Sequence, residues 1–424
     1  MAYELADAGL DVIAIERGPW RNAATDYPPG YAADELRFRI RHELFLSPRQ
    51  TTFTFRNKMS QTALPIRSWG AFMPPNGVGG GGVHWNAETW RFPAVGFRAE
   101  DPPDRALRHK LPARGYDDQD WDVTYDELEP HYDRFEYLCG TSGQAGNIKG
   151  TIMEGGNPFE GPRSRPYPNP PQDQPFSHTL FAKAARDIGY KPFPQSSGNM
   201  SRPYQNPLGV RLGPCTYCGF CEWFGCGNYS KASPQTTILP ALVRKSNFAA
   251  RDNSGVTRIN LDSSGKRATG ETFVDAAGDE WEQPADLVLL SAYTIFNIQL
   301  LLMSGIGKAY DPAPNTGVIG RNFTHQTVSD VLRSCEVHLQ SFHRLRRDRN
   351  VHRRVQRRQF RPWSAWVRRR RLVGQVQTNG RPIETTPFCR ERRCGARMEE
   401  GGQGKLSERD QARHRRPWQH VQLL

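Results

Sequence analysis

Residues Asp11-Val-Ile-Ala-Ile-Glu16 form an apolar run bracketed by acids. It follows a helix-like segment, Ala2 to Ala8, with Gly9 placed to cap that helix. Four consecutive apolar residues suit a strand buried on both faces, the pattern of a parallel sheet, and the helix-then-strand order is the second half of a βαβ unit. In a dinucleotide-binding fold the preceding turn would hold a pyrophosphate on its amides. An acid at the end of the second strand would take the ribose hydroxyls. Glu16 stands at that point, and Met1 falls inside the helix, so the sequence reads as cut short ahead of it. An ordinary αβ pair with a surface Glu is the alternative on these residues alone.

The chain's net charge of +13 is unevenly distributed. Residues 333–424 hold 23 Arg, one Lys and eight acids, which leaves residues 1–332 at −3. A tail selected to bind nucleic acid mixes Arg and Lys, because either neutralises phosphate. The Arg bias and lack of periodicity fit translation of GC-rich DNA in a shifted frame, with 374–386 as a short return to frame, and a true basic tail is the alternative. The longest apolar stretch, Leu287 to Met303, is interrupted by Ser291, Tyr293, Asn297 and Gln299, so no membrane helix is expected. The first residues lack the pattern of a secretory signal, so export would require a partner.

The run Gly77-Val-Gly-Gly-Gly-Gly-Val-His-Trp-Asn86 is the clearest binding-loop candidate. Glycines let a backbone take positive φ, approach a flat ring or phosphate, and keep its amides available. A flexible linker is the alternative, but linkers lack the Val, His, Trp and Asn that follow at once. From 101 to 175 the chain is rich in Pro, Gly and Asp. One helix is expected over 125–137, with Thr124 and Glu127 at capping-box spacing. A second amphipathic helix is expected over 179–188. Residues 236–242 and 287–290 read as strands, and 295–303 as a helix ended by Gly305-Ile-Gly307. Alternation of strands and helices implies a parallel sheet assembled from separated segments.

Cys215, Cys218, Cys221 and Cys226 lie within twelve residues, spaced x2, x2 and x4. Structural zinc usually takes two knuckle pairs a dozen or more residues apart, and no second pair lies nearby. A compact run suits an iron–sulfur cluster better, although a ferredoxin run has x3 before its last Cys. Zinc and plain buried thiols remain alternatives.

Taken in order, these pieces resemble the glucose-methanol-choline (GMC) oxidoreductases. ELADAGLDVIAIERGP (4–19) is similar to the continuation of their FAD fingerprint and GVGGGGVHWNAETWRF (77–92) to their flavin loop. LVLLSAYTIFNIQLLLMSGIG (287–307) resembles their late strand-helix signature, and GVIGRNF (317–323) their G-x-G-x-N segment. The cysteine run, GNYSKASPQTT (227–237) and NPFEGPRSRPYPNPP (157–171) resemble a subgroup, the membrane-bound sugar and sugar-acid dehydrogenase flavoproteins of the gluconate 2-dehydrogenase and fructose dehydrogenase type. The resemblance covers residues 1 to about 330.

It implies an α/β fold: a discontinuous Rossmann-like FAD-binding domain from 1–100 and 231–332, and a loop-rich substrate domain with the cysteine run at 101–230. It implies an FAD-dependent dehydrogenase acting on CH–OH groups of a sugar, polyol or sugar acid. Electrons would leave through the iron–sulfur centre to a membrane-bound cytochrome c subunit. A small chaperone-like subunit and a periplasmic, membrane-associated location are further expectations, and no nucleic acid is expected. By the same resemblance Glu16 would bind the adenosine ribose, and Gly79, Gly80, Gly81, Gly82, His84 and Asn86 would line the flavin and pyrophosphate. Asn322 would lie near the flavin ring, and Cys215, Cys218, Cys221 and Cys226 would be the metal ligands. The family's catalytic His, near its C-terminus, has no match, so no catalytic residue is assigned and this chain's own activity is not expected to be complete. Two rivals remain: an iron–sulfur or zinc protein without flavin, and a basic nucleic-acid-binding protein.

Overall fold

The computed structural model describes residues 1–27, 44–47, 51, 54–55, 61–65, 73–97, 121–311, 313–321, 323, 330–334 and 371–375. The chain divides into two compact units, one of residues 1–47, 70–288 and 340–347, the other of residues 48–69, 289–339 and 348–424. The glycine-rich loop and the cysteine run both lie in the first.

Helix α1 (Ala2–Asp7) and strand β1 (Val12–Ile15) form as expected, with Gly9 at φ +87° between them. β1 pairs in parallel with β2 (Phe248–Arg251), Val12 opposite Phe248 and Ile15 opposite Arg251. Asn247 fixes this join, its Nδ2 donating to the carbonyls of Ala6 and Leu10, both at 2.8 Å. Two stretches more than 230 residues apart therefore make one parallel pair, with its later strand at 248–251 and not at either of the two segments that the sequence suggested. After β2 the chain builds an antiparallel sheet, β3 (Gly255–Leu261), β4 (Ala268–Val274) and β5 (Glu280–Pro284), with β4 central. Its turns are built on Asp262 and Asp275, whose carboxylates accept backbone amides of the residues that follow.

Helix α2 (Tyr125–Cys139) begins with the expected capping box, Glu127 N donating to Thr124 Oγ1 and Thr124 N to Glu127 Oε2, and ends at Gly140 in the left-handed region. Helix α3 (Phe176–Asp187) starts three residues earlier than expected. Residues 236–242, expected as a strand, instead form two short helices, α4 (Pro234–Thr237) and α5 (Leu239–Leu242). Their Thr-Thr-Ile run has strand propensity, but Pro234 pre-sets a helical first turn. The hydroxyls of Thr236 and Thr237 also bond back to the carbonyls of Lys231 and Ser233, which ties both side chains to the helical turn. Residues 287–290 are not a strand either: no described strand pairs with them, and Leu287 and Leu289 are exposed.

In the second unit, α6 (Thr294–Met303) matches the expected helix, and β6 (Asp330–Ser334) pairs antiparallel with β7 (Arg371–Gln375). That pairing gives the Arg-rich tail one strand that its lack of periodicity did not suggest. The rest of the tail from 335 onward lies outside the described residues. No described helix is long and apolar enough to cross a membrane.

Candidate functional site

The glycine-rich loop folds as a 3-10 turn, Gly80–Val83, entered through Gly77, Gly79 and Gly80 at φ +140°, +101° and +56°. Its amides are partly spent within the turn: Gly80 N donates to Gly77 O (3.0 Å), Gly82 N to Gly79 O and His84 N to Gly81 O (both 3.2 Å). This corrects the expectation that the loop leaves its N–H groups available. The glycines serve two purposes. A Cβ on Gly82 would lie 2.1 Å from Pro234 Cδ, and one on Gly79 would lie 2.3 Å from Gln235 Nε2, so these two seat the loop on the first turn of α4. Gln235 Nε2 completes the seat by donating to Val78 O at 2.6 Å. Among the described residues, Cβ positions at Gly80 and Gly81 meet nothing within 4 Å, which leaves that part of the backbone open to a flat or charged group.

Glu16 stands at the end of β1, where the chain turns through Gly18 against the start of the same loop. A Cβ on Gly18 would sit 2.2 Å from Gly77 N, and Val78 N donates to Pro19 O at 3.1 Å. The Glu16 carboxylate accepts the Gly18 amide at 2.7 Å and is also bonded by the Gly77 amide. Burial raises its pKa, while these two amides and Arg17 oppose the rise. The structure thus sets Glu16 against Gly77, at the entrance of the loop that carries Gly79–Gly82, and Glu16 braces that entrance.

His84 packs its ring on Phe45, centroids 4.5 Å apart. Burial pushes its pKa down to about 4, so the imidazole is neutral at ordinary pH. Its Nε2 is buried and has no hydrogen-bond partner among the described residues, as does Gln235 Oε1 beneath Gly79. Asn86 is a turn residue, its Oδ1 accepting Glu88 N at 3.1 Å. Asn322 lies outside the described residues.

The cysteine loop docks on the segment that follows the glycines. Trp223 N donates to His84 O at 3.0 Å, and the ammonium of Lys231 donates to Trp85 O as well as to Cys221 O (2.9 Å) and Phe224 O. Behind this contact, Cys139, Met200, Leu212 and Ala232 form a buried cluster against which Trp85 and Tyr204 pack. A second cluster, Ala23, Tyr27 and Leu44, supports the loop from the other end. The ring of Tyr27 there lies so close that a Cβ on Gly225 would be 2.0 Å away.

Three aromatic residues in or beside the loop, Tyr217, Trp223 and Tyr229, take positive φ of 54°, 69° and 55°. Bulky side chains seldom adopt that region, so surrounding contacts must impose it. Cys215, Cys218, Cys221 and Cys226 are free thiols. Burial pushes Cys221 up to about 12 and raises Cys215, and neighbouring thiols add to both shifts. The four thiols therefore lie within electrostatic reach of one another. Among the described residues, however, no three His, Cys, Asp or Glu side chains are gathered as metal ligands.

Beyond the glycine loop, Arg91 enters a buried ion network that the sequence reading did not include. Its Nε and Nη2 donate to the two oxygens of Glu136 at 2.8 and 2.9 Å, and its Nη1 donates to Glu129 at 3.0 Å. Arg163 donates to Glu136 and, at 2.7 Å, to Glu160, with its guanidinium on the Tyr167 ring. Glu129 and Glu136 fall one above the other on α2, seven residues apart, and two acids on the inward face of an amphipathic helix were the available signal. The network fixes 88–92 against α2. Beside it, Trp90, Arg91, Glu160, Tyr167 and Ser196 line a cavity of about 20 Å³, room for one water.

Residues 169–328 match the family model for GMC oxidoreductase. The chain is 45% identical over 332 residues to the gluconate 2-dehydrogenase flavoprotein of Pantoea cypripedii, covering 78% of this chain and 54% of that protein. It is 25% identical to the 2-methyl-1,2-propanediol dehydrogenase of Mycolicibacterium austroafricanum, covering 77% of this chain and 52% of that protein. It is also 25% identical to the fructose dehydrogenase large subunit of Gluconobacter japonicus, covering 76% and 55%. The chain spans about half the length of the curated relatives it matches. On this sequence similarity the chain belongs to the GMC oxidoreductase family.

Proposed function

We propose that this chain is the flavin-holding part of an FAD-dependent dehydrogenase that oxidises a CH–OH group of a sugar, polyol or sugar acid. The observation that carries the reading is the glycine-rich loop itself. Among the described residues, its Gly80–Gly81 backbone is open, Glu16 braces its entrance, and the buried atoms His84 Nε2 and Gln235 Oε1 have no hydrogen-bond partner. A buried polar atom without a hydrogen bond costs about 1–3 kcal/mol, and a cofactor rich in donors and acceptors would supply the missing partners. The donor set therefore fits FAD, which when bound would supply the acceptor for hydride leaving the alcohol carbon.

The chain's own residues would do the holding. Gly80 and Gly81 would admit the cofactor close to the backbone, Glu16 would hold the strand end against the loop, and neutral His84 would offer Nε2 as a fixed polar contact. Its depressed pKa makes His84 a poor proton acceptor, so it is not assigned as the base for the substrate hydroxyl. The similarity to the gluconate 2-dehydrogenase flavoprotein supports the substrate class.

The finer proposal is that Cys215, Cys218, Cys221 and Cys226 hold an iron–sulfur centre that passes electrons to a cytochrome partner, in a periplasmic complex with a small subunit. Their spacing and electrostatic coupling support it, and no step is derived through the cluster because their side chains are not gathered as ligands. Purification of the full chain with added FAD tests the main reading. Flavin should co-elute with protein at one per chain. Protein that elutes colourless at saturating FAD would reject the reading. Iron and acid-labile sulfide measured on the same sample test the cluster.

A further inference from the structure

Lys231 is completely buried, and among the described residues no carboxylate pairs with it. An ammonium taken from water without compensation is strongly unfavourable. Compensation here comes from backbone carbonyls, one for each N–H: Trp85 O on the glycine-rich side, and Cys221 O and Phe224 O on the cysteine loop. The hydrogen bond from Trp223 N to His84 O runs parallel to this tie, one residue away from Trp85. Lys231 is itself held in place, since its carbonyl accepts Thr236 Oγ1 at 2.6 Å and the adjacent Ala232 N donates to Gly198 O at 2.8 Å. An apolar side chain of equal length would fill the space, leave Trp85 O and Phe224 O without this donor, and leave Cys221 O with only the Phe224 amide at 3.5 Å.

We propose that Lys231 is a positioning residue that ties the cysteine loop to the glycine-rich loop, so that filling the cofactor face of one loop orders the other. The tie stands on the hydrogen bonds alone, and its coupling to FAD rests on the function proposed above. Three hydrogen bonds meet at one atom, so their loss should be felt on both loops together, and strain at Trp223 gives the cysteine loop a reason to open when released.

Hydrogen–deuterium exchange of the full chain, read peptide by peptide, tests this. In Lys231→Met, residues 83–87 and 217–227 should exchange about tenfold faster or more, as expected when these hydrogen bonds no longer close a local opening. Residues 125–139 of α2 should stay as in the unsubstituted chain, and Lys231→Arg, which keeps charge and donors, should restore much of the protection. With FAD present, the unsubstituted chain should slow exchange in both loops, and Lys231→Met only in the glycine-rich one.

Unchanged exchange at 217–227 in Lys231→Met would overturn the tie, as would equal loosening of α2, which would make Lys231 ordinary core packing. Should Lys231→Met not fold, Lys231→Gln carries the same comparison. Protection of both loops by FAD in the variant would overturn the coupling. Failure of FAD to protect 77–87 in the unsubstituted chain would count against the proposed function, with the tie still judged from the FAD-free comparison.

Discussion

Glu136→Gln removes one negative charge at the centre of the buried network that sets the chain beyond the glycine-rich loop. In the folded protein this carboxylate accepts Arg91 Nε and Nη2 at 2.8 and 2.9 Å and both terminal nitrogens of Arg163, with all three side chains 2% exposed or less. Breaking a buried ion pair by removing one partner costs about 3–5 kcal/mol, because the remaining charge stays desolvated. Glu129 at 3.0 Å and Glu160 at 2.7 Å still offset the two guanidiniums, so the lower end, about 3 kcal/mol, is expected. For a domain of this size that corresponds to a fall in Tm of roughly 6–12 °C. The assay is thermal and urea unfolding followed by far-ultraviolet circular dichroism at pH 7. Lys183→Ala serves as control, because its partner Asp187 is exposed and that pair should contribute under about 0.5 kcal/mol. A loss below about 1 kcal/mol for Glu136→Gln, or one no larger than the control's, would refute the claim that this network holds residues 88–92 on α2.

Gly82→Ala should destabilise the protein by about 1–3 kcal/mol, because its Cβ would meet Pro234 Cδ at 2.1 Å. Gly81→Ala, facing open space, should change the urea midpoint very little. Folding stability should fall with acid through His84. Its folded pKa of about 4 lies below the usual 6.5, so the unfolded chain takes up the proton first, and the contribution is complete above pH 6.5 and lost as pH falls toward 4. Between pH 7.5 and pH 5 that amounts to about 2 kcal/mol, and urea titrations of His84→Phe should lose this part of the slope. In protein freed of iron, Cys221, pushed up to about 12 by burial, should react with iodoacetamide at pH 8 at least about a hundredfold more slowly than a free cysteine peptide, as followed by mass spectrometry.

The sequence made the local pieces legible where side-chain pattern and cap chemistry agree. β1 was readable because four apolar residues lie between Asp11 and Glu16, and α2 because Thr124 and Glu127 announce its start. Segment 236–242 reads as a strand because Thr-Thr-Ile favours one by propensity, whereas Pro234 just before it and two hydroxyls bonded to the backbone decide for helix. The sheet β3–β5 is less legible: only Arg258-Ile-Asn-Leu261 alternates polar and apolar, although turn residues follow it.

At the site, glycines marked the loop, yet which glycine packs and which stays open depends on Pro234 and Gln235, 152 or more residues away in sequence. Lys231 and Arg91 gave no sign of burial, because the carbonyls and carboxylates that satisfy them come from segments the sequence does not place side by side.

The central claim is that the Gly80–Gly81 face holds FAD. Isothermal titration of FAD into the full chain and into Gly81→Leu tests it most directly, with the urea midpoint of each measured alongside. The account predicts one site per chain in the unsubstituted protein and at least about tenfold weaker binding in Gly81→Leu at unchanged stability, because the leucine side chain would occupy the cofactor's place. Equal affinity in the two proteins, or no FAD bound by either, would contradict it.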